Sequence, residues 1–278
     1  MAVNLDSITR SYFYFDDPVP YKLSDDTQIL ISPISLKFSE IFLSSIDILM
    51  IDKNSIPDAK IIQMSYLKYI FKILLADKEF GQLNKIKLCN ILFGCLGLKQ
   101  FELREYSDNK IYIYDKSSNI KISEKQFDEI KTIILHQNFY KYDDSYINPE
   151  VKQAMNEVDE EKNKEYEIPN LERRIAIISS HTGITKKDQL QMTYRSHSIL
   201  FDEVCGEIDY TTVRSVALFT GQDDKIENWI YKKHKNKFDN YFVSTNQFSK
   251  SMGGNGNIKS TDTHQGDLYN SQLNSFNK

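Results

Sequence analysis

The spacing of apolar residues predicts helices over much of the first hundred positions. Between Leu36 and Ile51, apolar side chains recur at intervals of three and four residues, which is typical of an amphipathic helix. Pro57 suits the first turn of a second helix, because the missing N–H has no helical partner there. The apolar face of this second helix comprises Ile61, Met64, Leu67, Ile70, Phe71 and Leu74. A third helix is predicted from about Leu83 to Leu96, with the apolar positions Ile86, Cys89, Leu92 and Phe93.

Extended segments are predicted in two regions. The aromatic run Ser11–Phe15 and the apolar run Thr27–Ser32 both favour strands, so residues 1–35 are expected to be extended and to contain a hairpin. This hairpin is either a sheet edge within the chain or an arm that pairs with a partner's sheet. Farther along, Phe101–Ile122 alternates apolar and polar residues between turn residues, which predicts an antiparallel meander of two or three short strands.

Two helix starts follow the meander. Ser123 and Gln126 have the spacing of a capping box, and the helix that they begin carries apolar residues at helical intervals. Asn148-Pro149-Glu150 is a second start, with an N-cap residue, a proline at the first helical position and an acid in the first turn. The charged stretch 155–167 after it has almost no apolar face, so it is either a solvated helix or a linker.

Capping residues and glycines predict a bundle of four short helices between 169 and 242. The first has Leu171, Ile175 and Ile178 on one face, and Gly183 is placed to end it. In the third, Val213, Val216 and Ala217 are expected to face inward. The second, third and fourth helices are predicted over Thr185–Cys205, over Tyr210–Leu218 and from Asp223 or Asp224 onward.

These elements predict an α+β fold that is mainly α. It comprises an N-terminal helical domain with small antiparallel β elements, a C-terminal bundle of short helices and a disordered polar tail. The expected boundaries are 1–147 for the N-terminal domain, 148–168 for the acidic helix or linker, 169–242 for the helical bundle and 243–278 for the tail.

Composition narrows the class of protein. The chain has 278 residues and 40% hydrophobic content, enough for a sizeable core. A net charge of −4 provides no global field for nucleic acid or an anionic membrane. No apolar run reaches the roughly 18 to 20 residues that span a bilayer. The start Met1–Asp6 has no basic segment leading into an apolar one, so a secretory signal is not expected.

The sequence contains no recognisable catalytic, metal or cofactor motif: no phosphate loop, HExxH, zinc-ligand cluster or G-x-S-x-G. Cys89 and Cys95 are six residues apart without a flanking histidine, so both are expected to be small hydrophobes. His181 and His197 belong to the same unit as Cys205, which makes a Cys–His pair conceivable. Burial of Cys205 at a helix end is the ordinary outcome, so neither an enzyme nor a cofactor is expected.

Two segments contain residues that are typical of surfaces that bind nucleic acid or protein. The helices around Gly183 would present Lys186, Lys187, Gln191 and Arg195 to a major groove if they form a helix-turn-helix. The segment 229–242 interleaves aromatic and basic residues, which either stack on bases or grip a protein partner. A protein contact is the preferred interpretation. The predicted partner-binding residues are Trp229, Tyr231, Lys232, Lys233, Phe238, Tyr241 and Phe242.

Three phrases within Glu172–Phe242 are distinctive: Met192-Thr193-Tyr194-Arg195, Gly206-Glu207-Ile208-Asp209-Tyr210 and Glu227-Asn228-Trp229-Ile230. With these phrases, the C-terminal third resembles small accessory proteins from the tail-gene clusters of large tailed bacteriophages, and specifically the tail assembly chaperones. This resemblance implies a non-enzymatic protein of the host cytoplasm that holds the long tape measure protein while tail subunits polymerise. It implies no cofactor and no enzymatic chemistry.

Two alternatives stay open. The first is a structural virion component of the tail, baseplate or neck, in which the N-terminal arm and the polar tail order against neighbours. The second is a nucleic-acid-binding regulator that uses the Gly183 helix pair and the 229–242 segment, although the net charge makes nucleic acid the less favoured partner. Self-association is compatible with each of these functions, and none of them needs a membrane.

Overall fold

A three-stranded antiparallel sheet lies beside the helix that follows it in the chain, α7 (Glu124–Asn138). The strands are β3 (Phe101–Glu105), β4 (Ile111–Asp115) and β5 (Ile120–Ser123), which pair in that order. The computed structural model describes residues 7–53, 56–106, 109–143, 151, 153–155, 157–158, 161, 169–221, 226 and 230.

The predicted meander is confirmed. Strand β4 is central, with Leu103 opposite Ile113 on one side and Ile113 opposite Ile122 on the other. The side chains of Ile111, Ile113 and Ile122 are fully buried, whereas Tyr112 and Tyr114 are half-buried and Lys121 is exposed. Asn119 in the second turn has a φ of +54°, a left-handed conformation that asparagine tolerates better than most residues. The alternation therefore produces one packed face and one wet face.

A buried carboxylate fastens the turn between β4 and β5. Burial alone would raise the pKa of Asp115, but hydrogen bonds from the Ser117 and Ser118 hydroxyls and from the backbone N–H of Gln100 and Ser118 lower it to about 2. The charged form of Asp115 is thus the form that the fold stabilises.

Helix α7 (Glu124–Asn138) begins at the predicted capping box. The Ser123 side chain accepts from the Gln126 backbone N–H, and the Gln126 side chain accepts from the Ser123 backbone N–H. All four predicted apolar positions of this helix are buried. They belong to the same core as the inner face of the sheet: Phe127, Ile130, Ile133 and Ile134.

The N-terminal expectation was half wrong. The segment Ser7–Tyr14 is a helix, α1, rather than a strand, while β1 (Val19–Lys22) and β2 (Gln28–Ile31) form the hairpin. Phe13 is buried in the core, whereas its neighbours Tyr14 and Phe15 are exposed. Burial of Phe13 alone among these three consecutive aromatic residues is typical of a helix. Tertiary packing therefore overrides the β propensity of the segment. The hairpin pairs within the chain.

The two long helices predicted between 36 and 74 are broken into short pieces. Ser45 donates its hydroxyl to the carbonyl of Ile41, and Ser65 caps a new helix by accepting from the Lys68 N–H. Both contacts favour a break over continuation. The resulting elements are a 3₁₀ turn (Leu36–Phe38), α2 (Ser39–Leu43), α3 (Asp47–Met50), α4 (Ala59–Gln63), α5 (Tyr66–Tyr69) and a π turn (Ile70–Leu74).

The third predicted helix is confirmed as α6 (Gly81–Leu96), which ends at Gly97 in the left-handed conformation. Its inward face differs from the prediction, because Ile86 and Phe93 are exposed. The side chains that it buries are Leu88, Ile91, Leu92 and Cys95.

The C-terminal helices are α8 (Leu171–Thr182), α9 (Lys186–Gln189) and α10 (Tyr194–Thr220). The predicted end at Gly183 and the Thr185 cap are confirmed. The division of 185–218 into two helices that break at Cys205-Gly206 is wrong, because α10 starts at its own Thr193 cap and continues through Cys205-Gly206. The start of the fourth predicted helix, at Asp223 or Asp224, lies outside the described residues. A glycine inside a helix costs only about 1 kcal/mol, which packing offsets. The fold class, α+β and mainly α, is confirmed.

The start of α10 is fastened to the N-terminal half of the chain. The Tyr194 N–H donates to the Ile34 carbonyl and the Leu36 N–H donates to the Met192 carbonyl, both at 2.8 Å. Asp16 accepts from the hydroxyls of Thr193 and Ser196 at 2.8 and 2.7 Å. Helices α8 to α10 are therefore anchored at this end.

The predicted domain boundaries stay a prediction, because most of the proposed linker 148–168 lies outside the described residues. Those that are described there, between 151 and 161, are helical. The described residues all belong to one compact unit, Met1–Ile230, and Tyr231–Lys278 make up a second unit outside them. The predicted tail 243–278 falls in that second unit. None of the described helices combines the length and apolar character needed to cross a bilayer.

Candidate protein-binding surfaces

Helix α10 runs parallel to α8 and extends beyond its end. The Arg174 guanidinium lies 5.3 Å from the centre of the Phe201 ring, and His181 Nε2 lies 3.2 Å from Glu207 Oε2. The two contacts follow the same chain direction in both helices, which shows that the helices are parallel. Because α8 ends at Thr182, residues 208–220 of α10 continue for about 20 Å past it. We call this segment distal α10.

Distal α10 exposes an apolar stripe. Val216 and Phe219 follow Ile208 by eight and eleven residues. This spacing places all three side chains on one face of the helix. Phe219 is 93% exposed and Val216 is 60% exposed. Val213 and Leu218 are also exposed, so only Ala217 of the three residues predicted to face inward does so. A cluster of large apolar side chains in water marks a surface that gains from being covered.

A second exposed apolar stripe lies on α6, on the side opposite to its buried face. Leu83, Ile86 and Phe93 are three and seven residues apart, so they share one face of the helix. Each has about half or more of its surface exposed. We call these three side chains the α6 outer face. The sequence pattern concealed it, because α6 is apolar on both sides and its periodicity does not single out the inward one.

The interior of the helical unit is held by a buried glutamine. Gln189 Nε2 donates to the Ile175 carbonyl, the Ser179 hydroxyl and the Ile184 carbonyl at 3.1, 2.8 and 3.2 Å. Its Oε1 lies 3.2 Å from His197 Nε2. Burial and the nearby Arg174 charge lower the pKa of His197 to about 4. His197 is therefore neutral at pH 7 and donates to Gln189 through Nε2.

The low pKa of His197 predicts acid sensitivity. The unfolded chain binds the proton with a pKa of about 6.5, so stability is full above that pH and falls as pH drops toward 4. At pH 4.5 the loss through this 1% exposed histidine amounts to about 2 to 3 kcal/mol. Urea unfolding at pH 7 and pH 4.5 measures it, with His197→Gln as the reference. An equal pH dependence of both proteins would contradict the assignment.

The structure does not assemble a Cys–His pair from the predicted residues. Burial raises the pKa of the half-buried Cys205 thiol, and the carboxylates of Asp202 and Asp209 add to this, which is opposite to what a nucleophilic cysteine needs. The hydrogen-bonding partners shown are Glu207 for His181 and Gln189 for His197. Within the described ranges, no group of three or more His, Cys, Asp or Glu residues is placed to hold a metal ion.

One of the four residues that the helix-turn-helix hypothesis assigns to DNA contact is used inside the fold instead. Lys186, Lys187 and Gln191 are exposed, but Arg195 is half-buried and donates from Nη1 to the His136 carbonyl at 2.9 Å. Burial lowers its pKa, so the fold uses Arg195 as an internal donor. The predicted partner-binding residues all lie outside the described residues: Trp229, Tyr231, Lys232, Lys233, Phe238, Tyr241 and Phe242.

Distal α10 is the site that sequence reasoning missed. The signal for it is the run Val213–Phe219, which places four large apolar residues within seven positions. A scan against protein-family models, a search of curated proteins and a search of solved structures each find no match. The function of this chain therefore has to follow from its own residues.

Proposed function

We propose that this chain is a non-enzymatic binding protein that holds an amphipathic helix of a partner on distal α10. The observation that carries the proposal is the apolar stripe through Ile208, Val216 and Phe219, which extends beyond α8 into solvent. Together with the resemblance of Glu172–Phe242, it supports a tail assembly chaperone of a tailed bacteriophage. Its partner is then the tape measure protein, which is long, helical and aggregation-prone, in the host cytoplasm.

The stripe is suited to helix binding. An amphipathic helix is recognised through apolar anchors on one face, at intervals of three, four and seven residues. Fully burying a Val, Leu, Ile or Phe side chain contributes about 1.5 to 3 kcal/mol, so a few anchors suffice for a reversible hold.

The stripe is also presented on a fixed support. The proximal half of α10 is held by Asp16 at its start, by the contact between His197 and Gln189, and by the contact between Glu207 and His181 of α8. A helix that is already formed loses little conformational entropy when a partner binds. Distal α10 therefore binds as a preorganised surface.

Affinity capture from phage-producing cells tests the proposal. Tagged protein is expected to retain a long helical tail protein at low and moderate salt and to be absent from mature particles. Phe219→Asp is expected to lower the captured amount at least tenfold, because the most exposed anchor is lost. Phe15→Asp is the matched control, since Phe15 is also largely exposed, at 75%, but lies in the N-terminal segment.

Two other results of the affinity capture would indicate the alternative functions. If the chain is found in stoichiometric amounts in mature particles, it is a structural component of the virion. Nucleic acid captured alone, and lost at moderate salt, would indicate the regulator, because phosphate contacts depend steeply on salt. Trp229→Ala tests the 229–242 segment separately, with reduced capture and an unchanged melting temperature expected of an interface anchor.

A further inference from the structure

Tyrosines and cations share the solvent-facing side of the three-stranded sheet. Tyr112 and Tyr114 alternate along β4 with fully buried isoleucines, so their rings lie on the side away from the core. Arg104 of β3 and Lys121 of β5 flank these rings on the neighbouring strands. The Tyr106 ring, just after β3, packs edge-on against Tyr112 with ring centres 5.1 Å apart. We call these five side chains the outer sheet face.

Both cations of the outer sheet face lie over aromatic rings. The Arg104 guanidinium is 4.2 Å from the centre of the Tyr114 ring. Lys121 Nζ is 3.9 Å from the centre of the Tyr112 ring and 4.5 Å from that of Tyr106. Tyr106 is 43% exposed, and the side chains of Arg104 and Lys121 also reach solvent. Rings and guanidinium planes that reach solvent beside positive charge are typical of surfaces that stack bases and neutralise phosphates.

The outer sheet face is positively charged, although the whole chain is acidic. Glu102 of β3 lies on the same side of the sheet, where it holds Arg104 at 2.9 Å and also pairs with Lys116 in the turn after β4. With Lys121, three cations therefore stand beside one carboxylate, a net charge of +2. A polyanion is attracted to such a local surface even when the protein as a whole provides no favourable field.

The other acids of this region serve different contacts. The Glu105 carboxylate pairs with Lys72 of the π turn at 2.5 Å. Asp115 is buried on the inner side of the sheet, where it fastens the turn between β4 and β5. Glu124, the first residue of α7, accepts hydrogen bonds from a backbone N–H of β4 and from a serine hydroxyl. These contacts hold the three carboxylates in the fold.

A cleft of about 270 Å³ opens beside Tyr112 at one end of the outer sheet face. Ser123, which is opposite Tyr112 on β5, lines it together with Glu124 and with the exposed Lys110 and Lys125. The cleft provides space next to the Tyr112 ring, and its two lysines outnumber its carboxylate. A strand that crosses the sheet can therefore continue past Tyr112 without meeting a net negative charge.

We propose that the outer sheet face binds single-stranded nucleic acid. Bases stack on the rings of Tyr106 and Tyr112 and on the Arg104 guanidinium, while phosphates pair with Lys116 and Lys121. A base that stacks on Tyr112 displaces the Lys121 ammonium from the ring, and that ammonium then pairs with a phosphate. A single strand presents the flat faces of its bases, whereas a duplex hides them in its stack. The proposal goes beyond the proposed function and involves no residue of distal α10.

The aromatic rings favour nucleic acid over an acidic peptide. Charge alone attracts either polyanion, but a chain of carboxylates has no flat surface to place against three neighbouring tyrosines. Every base has a π-face, so stacking on such rings tolerates any base sequence. Binding is therefore expected to be selective for single strands but not for their sequence.

Fluorescence anisotropy tests this site, with a labelled oligothymidylate of about 20 nucleotides and the purified full-length chain at about 50 mM salt. The logarithm of the affinity is expected to fall with the logarithm of the salt concentration at a slope of about −2, as three phosphate contacts on a single strand predict. Lys121→Glu is expected to weaken binding at least tenfold, because it reverses a central charge. Tyr106→Ala is expected to weaken it at least fivefold, because one stacked base is lost.

Two matched variants control for charge and for aromatic content. Lys85→Glu reverses an exposed charge on α6, and Tyr14→Ala removes a 72% exposed ring from α1. Each is expected to change the affinity less than twofold. Circular dichroism melting of all four variants is expected to remain within a few degrees of the wild type, which separates loss of binding from loss of folding.

Four results overturn the proposal. The first is a wild type that does not bind oligothymidylate at low salt, and the second is an equal loss in Lys85→Glu and Lys121→Glu, which shows a general effect of charge. The third is equally tight binding of a duplex of the same length, and the fourth is equal competition by polyglutamate of the same charge. Either of these shows that stacking contributes nothing. The assay contains no protein partner, so its failure leaves the proposed function untouched.

Discussion

Replacement of Phe127 by alanine is expected to lower the free energy of unfolding by about 4 kcal/mol. The side chain is 1% exposed and lies on α7 within the core that includes Ile111, Ile113 and Ile122. Removing a buried phenylalanine loses its transfer free energy and leaves a cavity that the surrounding residues fill only in part. Urea unfolding followed by circular dichroism measures the change.

The matched control is Phe93→Ala on α6. Its side chain is 59% exposed, so the substitution is expected to cost less than about 1 kcal/mol. The pair of variants tests which phenylalanine belongs to the core and which to the α6 outer face. A Phe93→Ala loss comparable to that of Phe127→Ala would place Phe93 in the core.

Replacement of Gln189 by leucine is expected to destabilise the chain by about 3 kcal/mol. The amide of Gln189 is fully buried and serves the Ile175 carbonyl, the Ser179 hydroxyl, the Ile184 carbonyl and His197. Leucine has a similar volume but no polar atoms, so these groups remain buried without this partner. Each such group costs about 1 to 3 kcal/mol, and local relaxation recovers part of the sum.

Gln191→Leu is the control for this variant, because Gln191 is exposed two residues farther on. It is expected to change stability by less than about 0.5 kcal/mol. Since His197 loses its hydrogen-bond acceptor in Gln189→Leu, the acid sensitivity of the variant is also expected to change. Unchanged stability in Gln189→Leu would show that helices α8 to α10 are held by apolar packing alone.

Local sequence signals determined the elements whose ends depend on nearby residues. The capping box of Ser123 and Gln126, the end of α8 at Gly183 and the strands of the meander were all predicted correctly. Each of these features is encoded by hydrogen bonds or backbone conformations within a few residues. The fold class followed from them.

Tertiary contacts decided the features that the periodicity left ambiguous. Ser11–Phe15 is β-prone by composition, yet burial of Phe13 alone selects a helix. Helix α6 is apolar on two sides, so only packing against the core shows that Leu88 faces inward and Phe93 outward. The run Val213–Phe219 marks distal α10 as apolar, but its exposure depends on where α8 ends. Burial is a property of the neighbours in space, and a single helix does not contain them.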